Sequence, residues 1–145
     1  MQDMPHIYKV TADSIPEGVM LSASGIPDLC SSAPAEFGGP GDQWSPETLL
    51  TGAVADCFIL SFKAIARASR FEWIEIKCEV EAVLDRVARR TLFTEIRVNP
   101  SLKISDPEQI GKAEKLLRKA EAACLITNSL TAEINMSIDI LVSGE

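Results

Sequence analysis

The chain has 145 residues, enough for one substantial core but too few for two ordinary ones, so a single domain over 1–145 is expected. Its composition, 46% hydrophobic and 24% charged, is that of an ordinary globular protein and sets aside disordered and fibrous classes. A formal net charge of −7 opposes nucleic-acid or anionic-membrane binding, because phosphate contacts need clustered Lys and Arg. The one dense basic patch, Arg86, Arg89 and Arg90, reads as a solvated turn.

The segment Met1 to Val10 carries Asp3, Pro5, His6 and Lys9 and lacks the apolar core of a signal peptide. Since no stretch approaches about 18 uninterrupted apolar residues, neither secretion nor a membrane span is expected. The expected location is a reducing cytoplasm, where paired cysteines tend to be catalytic, sensing or metal-binding and structural disulfides are rare. Metal is the weakest of these readings for the four cysteines. No two of them have the short spacing of a zinc site, and His6 is the sole histidine.

In chain order, His6 to Thr11 and Gly18 to Ser22 lean toward strand, with Ser14-Ile15-Pro16-Glu17 as the turn of an opening hairpin. Ser24 to Asp42, rich in Gly and Pro, has no periodicity and is expected to be an irregular loop, functional or a plain linker. Ser45-Pro46-Glu47 starts a helix: Ser supplies the cap oxygen, Pro fits the first turn, and Glu complements the positive end of the dipole. That helix is predicted over 46–69. It is apolar on almost every face from Leu49 to Leu60, so burial on more than one side is expected, including a subunit interface.

Period-two alternation follows, with Ile74, Ile76, Cys78, Val80 and Ala82 on one face of a strand. Leu92, Thr94, Ile96 and Val98 do the same in a second, and the two should form an antiparallel hairpin. Asp106-Pro107-Glu108 starts another helix, whose apolar stripe is Ile110, Ala113, Leu116, Leu117, Ala120 and Ala123. A last strand carries Ile134, Met136, Ile138, Ile140 and Val142 on one parity. The predicted order is β-β-α-β-β-α-β, an α+β layout without internal repeat.

Chemistry centres on the cysteines. Cys57 lies about three turns into its helix, beyond the reach of the N-terminal partial charge. Its neighbours Ala53, Val54, Phe58 and Leu60 would raise its pKa, as would a close Asp56, so a reactive Cys57 needs a cation from elsewhere. The alternative is a small buried core residue. Cys124, at the end of the second helix, is open to the same two readings. Cys78 shares the parity of core residues, and Cys30 in the irregular loop is a secondary redox candidate. Glu47 stands ten residues before Cys57, which separates them on one helix by about 15 Å and about 80°. If both serve one site, Glu47 must come from a second chain or act elsewhere; otherwise it is a first-turn residue helping the dipole. Hydrolase triads and phosphate-cradling loops find no match.

Two motifs together resemble the OsmC/Ohr family of thiol-dependent peroxidases. One is Trp44-Ser45-Pro46-Glu47-Thr48-Leu49-Leu50 leading to Ala55-Asp56-Cys57-Phe58, and the other is Ala122-Ala123-Cys124-Leu125-Ile126-Thr127-Asn128-Ser129-Leu130. The resemblance runs from about Pro34 to Val142. It implies an OsmC-like fold with a long central helix packed on antiparallel sheet, in an intertwined homodimer with two interface sites. It implies Cys57 as the peroxidatic thiol, Cys124 as the resolving thiol, and Glu47 as an orienting carboxylate. It further implies organic hydroperoxide substrates, recycling by a dithiol of the lipoyl type, and no cofactor. One departure is that the family's N-terminal Arg has no counterpart, since Arg67 is the first arginine and Lys9 the only cation before the long helix besides the α-amino group. That absence motivates one alternative, an OsmC-like protein that binds an apolar ligand at its dimer interface without turnover; a second is a thiol redox sensor acting through Cys30.

Overall fold

A computed structural model describes residues 2–143; the predicted domain limits, 1 and 145, lie outside the described residues. The chain forms two compact units, one up to Leu50 and one from Thr51 onward.

In the first unit, β1 (Thr11–Ile15), β2 (Gly18–Ser22) and β3 (Leu29–Ser31) form an antiparallel sheet in that order. The opening hairpin is present, but its first strand begins at Thr11, where His6 had been expected. The reason lies in the register: Thr11 faces Ser22, the last residue of β2, so the residues before Thr11 meet no continuation of that strand. Gly18, at the turn, has φ of 139°, and a Cβ there would collide with the Ser31 carbonyl. The third strand lies inside the segment expected to be wholly irregular. Three residues are too few to show alternation, so pairing with β2 alone reveals it.

The helix α1 (Pro46–Ala68) opens as its sequence predicts. The Ser45 hydroxyl accepts from the Thr48 backbone N–H at 3.1 Å, while the Thr48 hydroxyl accepts from the Ser45 N–H at 2.8 Å, a reciprocal cap. In the second unit α1 buries only the stripe Val54, Phe58, Phe62 and Ala66, spaced by four. The expectation of burial on several sides is therefore not met within one chain, and Leu60 is 59% exposed. By length and composition alone α1 could cross a membrane, with mean hydropathy of 1.7 over 18 residues. Its buried stripe, however, belongs to this unit's core.

The hairpin of β4 (Glu75–Val87) and β5 (Arg90–Ile104) turns at Ala88 and Arg89, both with positive φ, so Arg86, Arg89 and Arg90 do flank an exposed turn. A short 3₁₀ turn, Pro107–Gln109, capped by the Asp106 carboxylate, leads into α2 (Ile110–Ala123). After the four-residue α3 (Leu125–Asn128), β6 (Glu133–Met136) and β7 (Asp139–Val142) both run parallel to β5. The sheet is therefore mixed, where an antiparallel one had been expected, because α2 carries the chain back to the starting end of β5.

The predicted last strand is split, and Pro100 accounts for the break. The Val98 and Ile104 carbonyls accept from Ser137 and Ser143 on the β6–β7 side, so Pro100, of the same parity, turns toward the gap with no N–H to donate. The core collects the α1 stripe with Ile96, Val98, Leu102 and Ile104 of β5 and Ala113, Leu116, Leu117 and Ala120 of α2. Phe62 also meets Trp73 edge to face at 5.6 Å. Phe62→Ala is expected to cost about 3–5 kcal/mol in urea unfolding, whereas Ser45→Ala, which removes only a cap, should cost about 1 kcal/mol.

Candidate active site

Beside its buried stripe, α1 carries a second one: Ala53, Asp56, Cys57, Leu60, Ser61 and Ala64 recur at three- and four-residue steps and so share a face. With Leu125 and Ile126 of α3 they line an open hollow of about 450 Å³. The lining is almost wholly apolar apart from Asp56, Ser61 and the thiol itself.

Cys124 occupies the joint between α2 and α3, in extended conformation with φ of −66° and ψ of 105°. Its side chain is buried, and the thiols of Cys57 and Cys124 are near enough for each to shift the acidity of the other. Two cysteines far apart in sequence are thus brought near each other, Cys57 lining the hollow and Cys124 buried behind it, both as free thiols.

The two thiols differ in acidity. Burial pushes Cys57 up, but donors surround it: the Ile126 backbone N–H, the Cys124 thiol, the Ser61 hydroxyl and the Leu125 backbone N–H. Together they hold Cys57 below its ordinary value. Burial likewise pushes Cys124 up, and the hydrogen bond and charge of Cys57 add to it, outweighing the Thr127 N–H and hydroxyl that act the other way. Of the pair, Cys57 deprotonates first as pH rises.

A cation was expected to be necessary for an acidic Cys57. The groups that shift it include no cationic side chain and not Asp56, its feared neighbour. Within one chain, hydrogen-bond donors lower it, two of them from α3, which sequence reasoning could not place beside Cys57. The sequence signal available for Ser61 was its position four residues after Cys57, one helical turn away.

The remaining predicted residues lie elsewhere. Glu47 stands half-buried in the first turn of α1, ten residues before Cys57, a spacing of about 15 Å along the helix axis. Cys78 faces the core from β4, where burial above all pushes its thiol up to about 11. Cys30 is exposed, but on β3 opposite Met20, its Sγ 3.8 Å from the Met20 Sδ. Among the described residues, no group of three or more His, Cys, Asp or Glu is placed to hold a metal.

Peptide-resolved alkylation with iodoacetamide near neutral pH should therefore modify Cys57 before Cys124 or Cys78. Faster labelling of Cys124 would reverse the assigned order of acidity.

A family model described as OsmC-like protein matches residues 39–139. The uncharacterized protein YmaD of Bacillus subtilis (strain 168) is 26% identical over 114 residues, covering 77% of this chain and 76% of that protein. An OsmC-like protein of unknown function from Vibrio cholerae superposes with a TM-score of 0.82 at 17% identity, over 92% of this chain and 99% of its own. An organic hydroperoxide resistance protein from Legionella pneumophila does so with a TM-score of 0.76 at 19% identity, over 97% and 100%. The structural likenesses concern the fold, while the match across most of the sequence settles the family: this chain belongs to the OsmC-like, or OsmC/Ohr, family.

Proposed function

We propose that this protein is a thiol-dependent reductase of organic hydroperoxides, with Cys57 as peroxidatic and Cys124 as resolving cysteine. The observation that carries the reading is a pair of neighbouring free thiols of unequal acidity, the more acidic of which lines an apolar hollow. The name of the Legionella relative, an organic hydroperoxide resistance protein, supports a redox role of this kind.

In the first step the Cys57 thiolate attacks the terminal oxygen of the hydroperoxide, the O–O bond breaks, and the alkoxide leaves and takes a proton from water. Sulfur loses two electrons and becomes a sulfenic acid. Cys124 then attacks that sulfur, the S–S bond forms, and hydroxide departs as water with the proton of the Cys124 thiol. A dithiol reductant of the lipoyl type restores both thiols and leaves as its own disulfide. No cofactor is needed. The apolar lining favours alkyl or aryl hydroperoxides over hydrogen peroxide, because each buried CH₂ adds about 0.8 kcal/mol, or about fourfold in affinity.

Homodimerisation belongs to the same reading. The hollow is open and Leu60 and Leu125 on its rim are 59% and 65% exposed, so a second copy packed against this face would enclose the substrate. Glu47 would then act as an orienting carboxylate supplied by the partner chain. A reducing cytoplasm is the compartment in which such a dithiol cycle runs. Size-exclusion chromatography with light scattering should give twice the 15.7 kDa chain mass, and a monomer would count against an interface site.

A second reading, binding of an apolar ligand without turnover, is favoured by the lack of any cationic side chain among the groups that shift Cys57. Peroxide consumption with dihydrolipoamide separates the two. Turnover of cumene hydroperoxide should exceed that of hydrogen peroxide, fall about a thousandfold or more in Cys57→Ser, and stop after one equivalent in Cys124→Ser. Negligible wild-type turnover would leave binding as the function.

A further inference from the structure

The face that α1 turns to the hollow holds a hydroxyl where apolar side chains otherwise prevail. Ser61 follows Cys57 by four residues, the spacing at which helix side chains meet, and its Oγ lies 3.9 Å from the Cys57 Sγ. A serine inside a helix ordinarily points into solvent or returns its hydroxyl to the carbonyl four residues back. Here the side chain is half-buried and faces the sulfur of that fourth residue. Leu60, beside it in sequence, and Leu125 and Ile126, across the hollow, supply apolar surface, so the Cys57 sulfur is the polar partner nearest the Ser61 hydroxyl on this face.

We propose that Ser61 is a functional residue of this site, whose hydroxyl donates to the Cys57 sulfur and, with the backbone N–H groups of Leu125 and Ile126, holds the nucleophile in a cradle of uncharged donors. Asp56 of the same helix lines the hollow without shifting Cys57, and the titratable group that does act on it, Cys124 from the joint of α2 and α3, brings no positive charge. Ser61, the two backbone N–H groups and the Cys124 thiol are uncharged donors, each acting over a short range and with little sensitivity to salt. Ser61 keeps its proton throughout. When the sulfur is oxidised to a neutral sulfenic acid, the acceptor loses its charge and the Ser61 bond weakens, so the hydroxyl favours the reduced, anionic form.

The test is the pH profile of Cys57 alkylation, read peptide by peptide in wild type, Ser61→Ala and Ser61→Thr. Ala is a stronger helix former than Ser, so α1 is retained in the first variant, and circular dichroism checks the fold of both. Ser61→Ala should raise the Cys57 midpoint by about one pH unit, while Ser61→Thr, which keeps the hydroxyl, should follow wild type. An unmoved midpoint in Ser61→Ala, or equal displacement in both variants, would overturn the assignment.

This assignment rests on Cys57 as the nucleophile, yet the two fail separately. A wild type without peroxidase turnover but with a Ser61-dependent profile removes the peroxidase reading and keeps the cradle. An active wild type whose profile ignores Ser61 does the reverse.

Discussion

The azimuth of α1 is the constraint on which the rest of the site depends. Val54, Phe58, Phe62 and Ala66 repeat every four residues and enter the same core as β5 and α2. Once that stripe is buried, helical geometry leaves no freedom for the next one, and Cys57, Leu60 and Ser61 must face the hollow. A rotation of one residue would bury the thiol among aromatic rings. The two phenylalanines that hold the helix are thus also what points the Cys57 thiol outward.

Opposite α1, the joint between α2 and α3 does two things at once. It brings Cys124 against Cys57, and it directs the N–H groups of Leu125 and Ile126 at the same sulfur. The break between the helices supplies both. A continuous helix through Cys124 would have committed those N–H groups to carbonyls of the preceding turn, and none would remain for a thiolate. Extended backbone at Cys124 frees them. The acidity of Cys57 is in this sense a product of a helix interruption, and its asymmetry with Cys124 follows from which sulfur the donors surround.

The same economy appears in the sheet. Pro100 withholds one ladder hydrogen bond from its parallel neighbour, and the last strand divides into β6 and β7 while keeping a single register on β5. Packing tolerates the interruption because Ile134, Met136, Ile138 and Ile140 keep their parity across it and all reach the core.

Local physical chemistry made much of this legible from the sequence. Alternation gave β4 and β5, a helical stripe gave α2, and Ser45 with Pro46 and Glu47 placed the start of α1, since each pattern depends on neighbours within a few residues. The two motifs around Cys57 and Cys124 identified the family for the same reason. What the sequence could not decide are the features that need partners distant along the chain: the strand β3, the start of β1 at Thr11, and the parallel pairing of β6 and β7 all depend on a neighbouring strand. The meeting of Cys57 with Cys124, and the donors that replace the expected cation, depend on where α3 lands against α1. Spacing along a helix is a local property, but the approach of two segments is set by the burial of a shared core, and only the tertiary structure contains that.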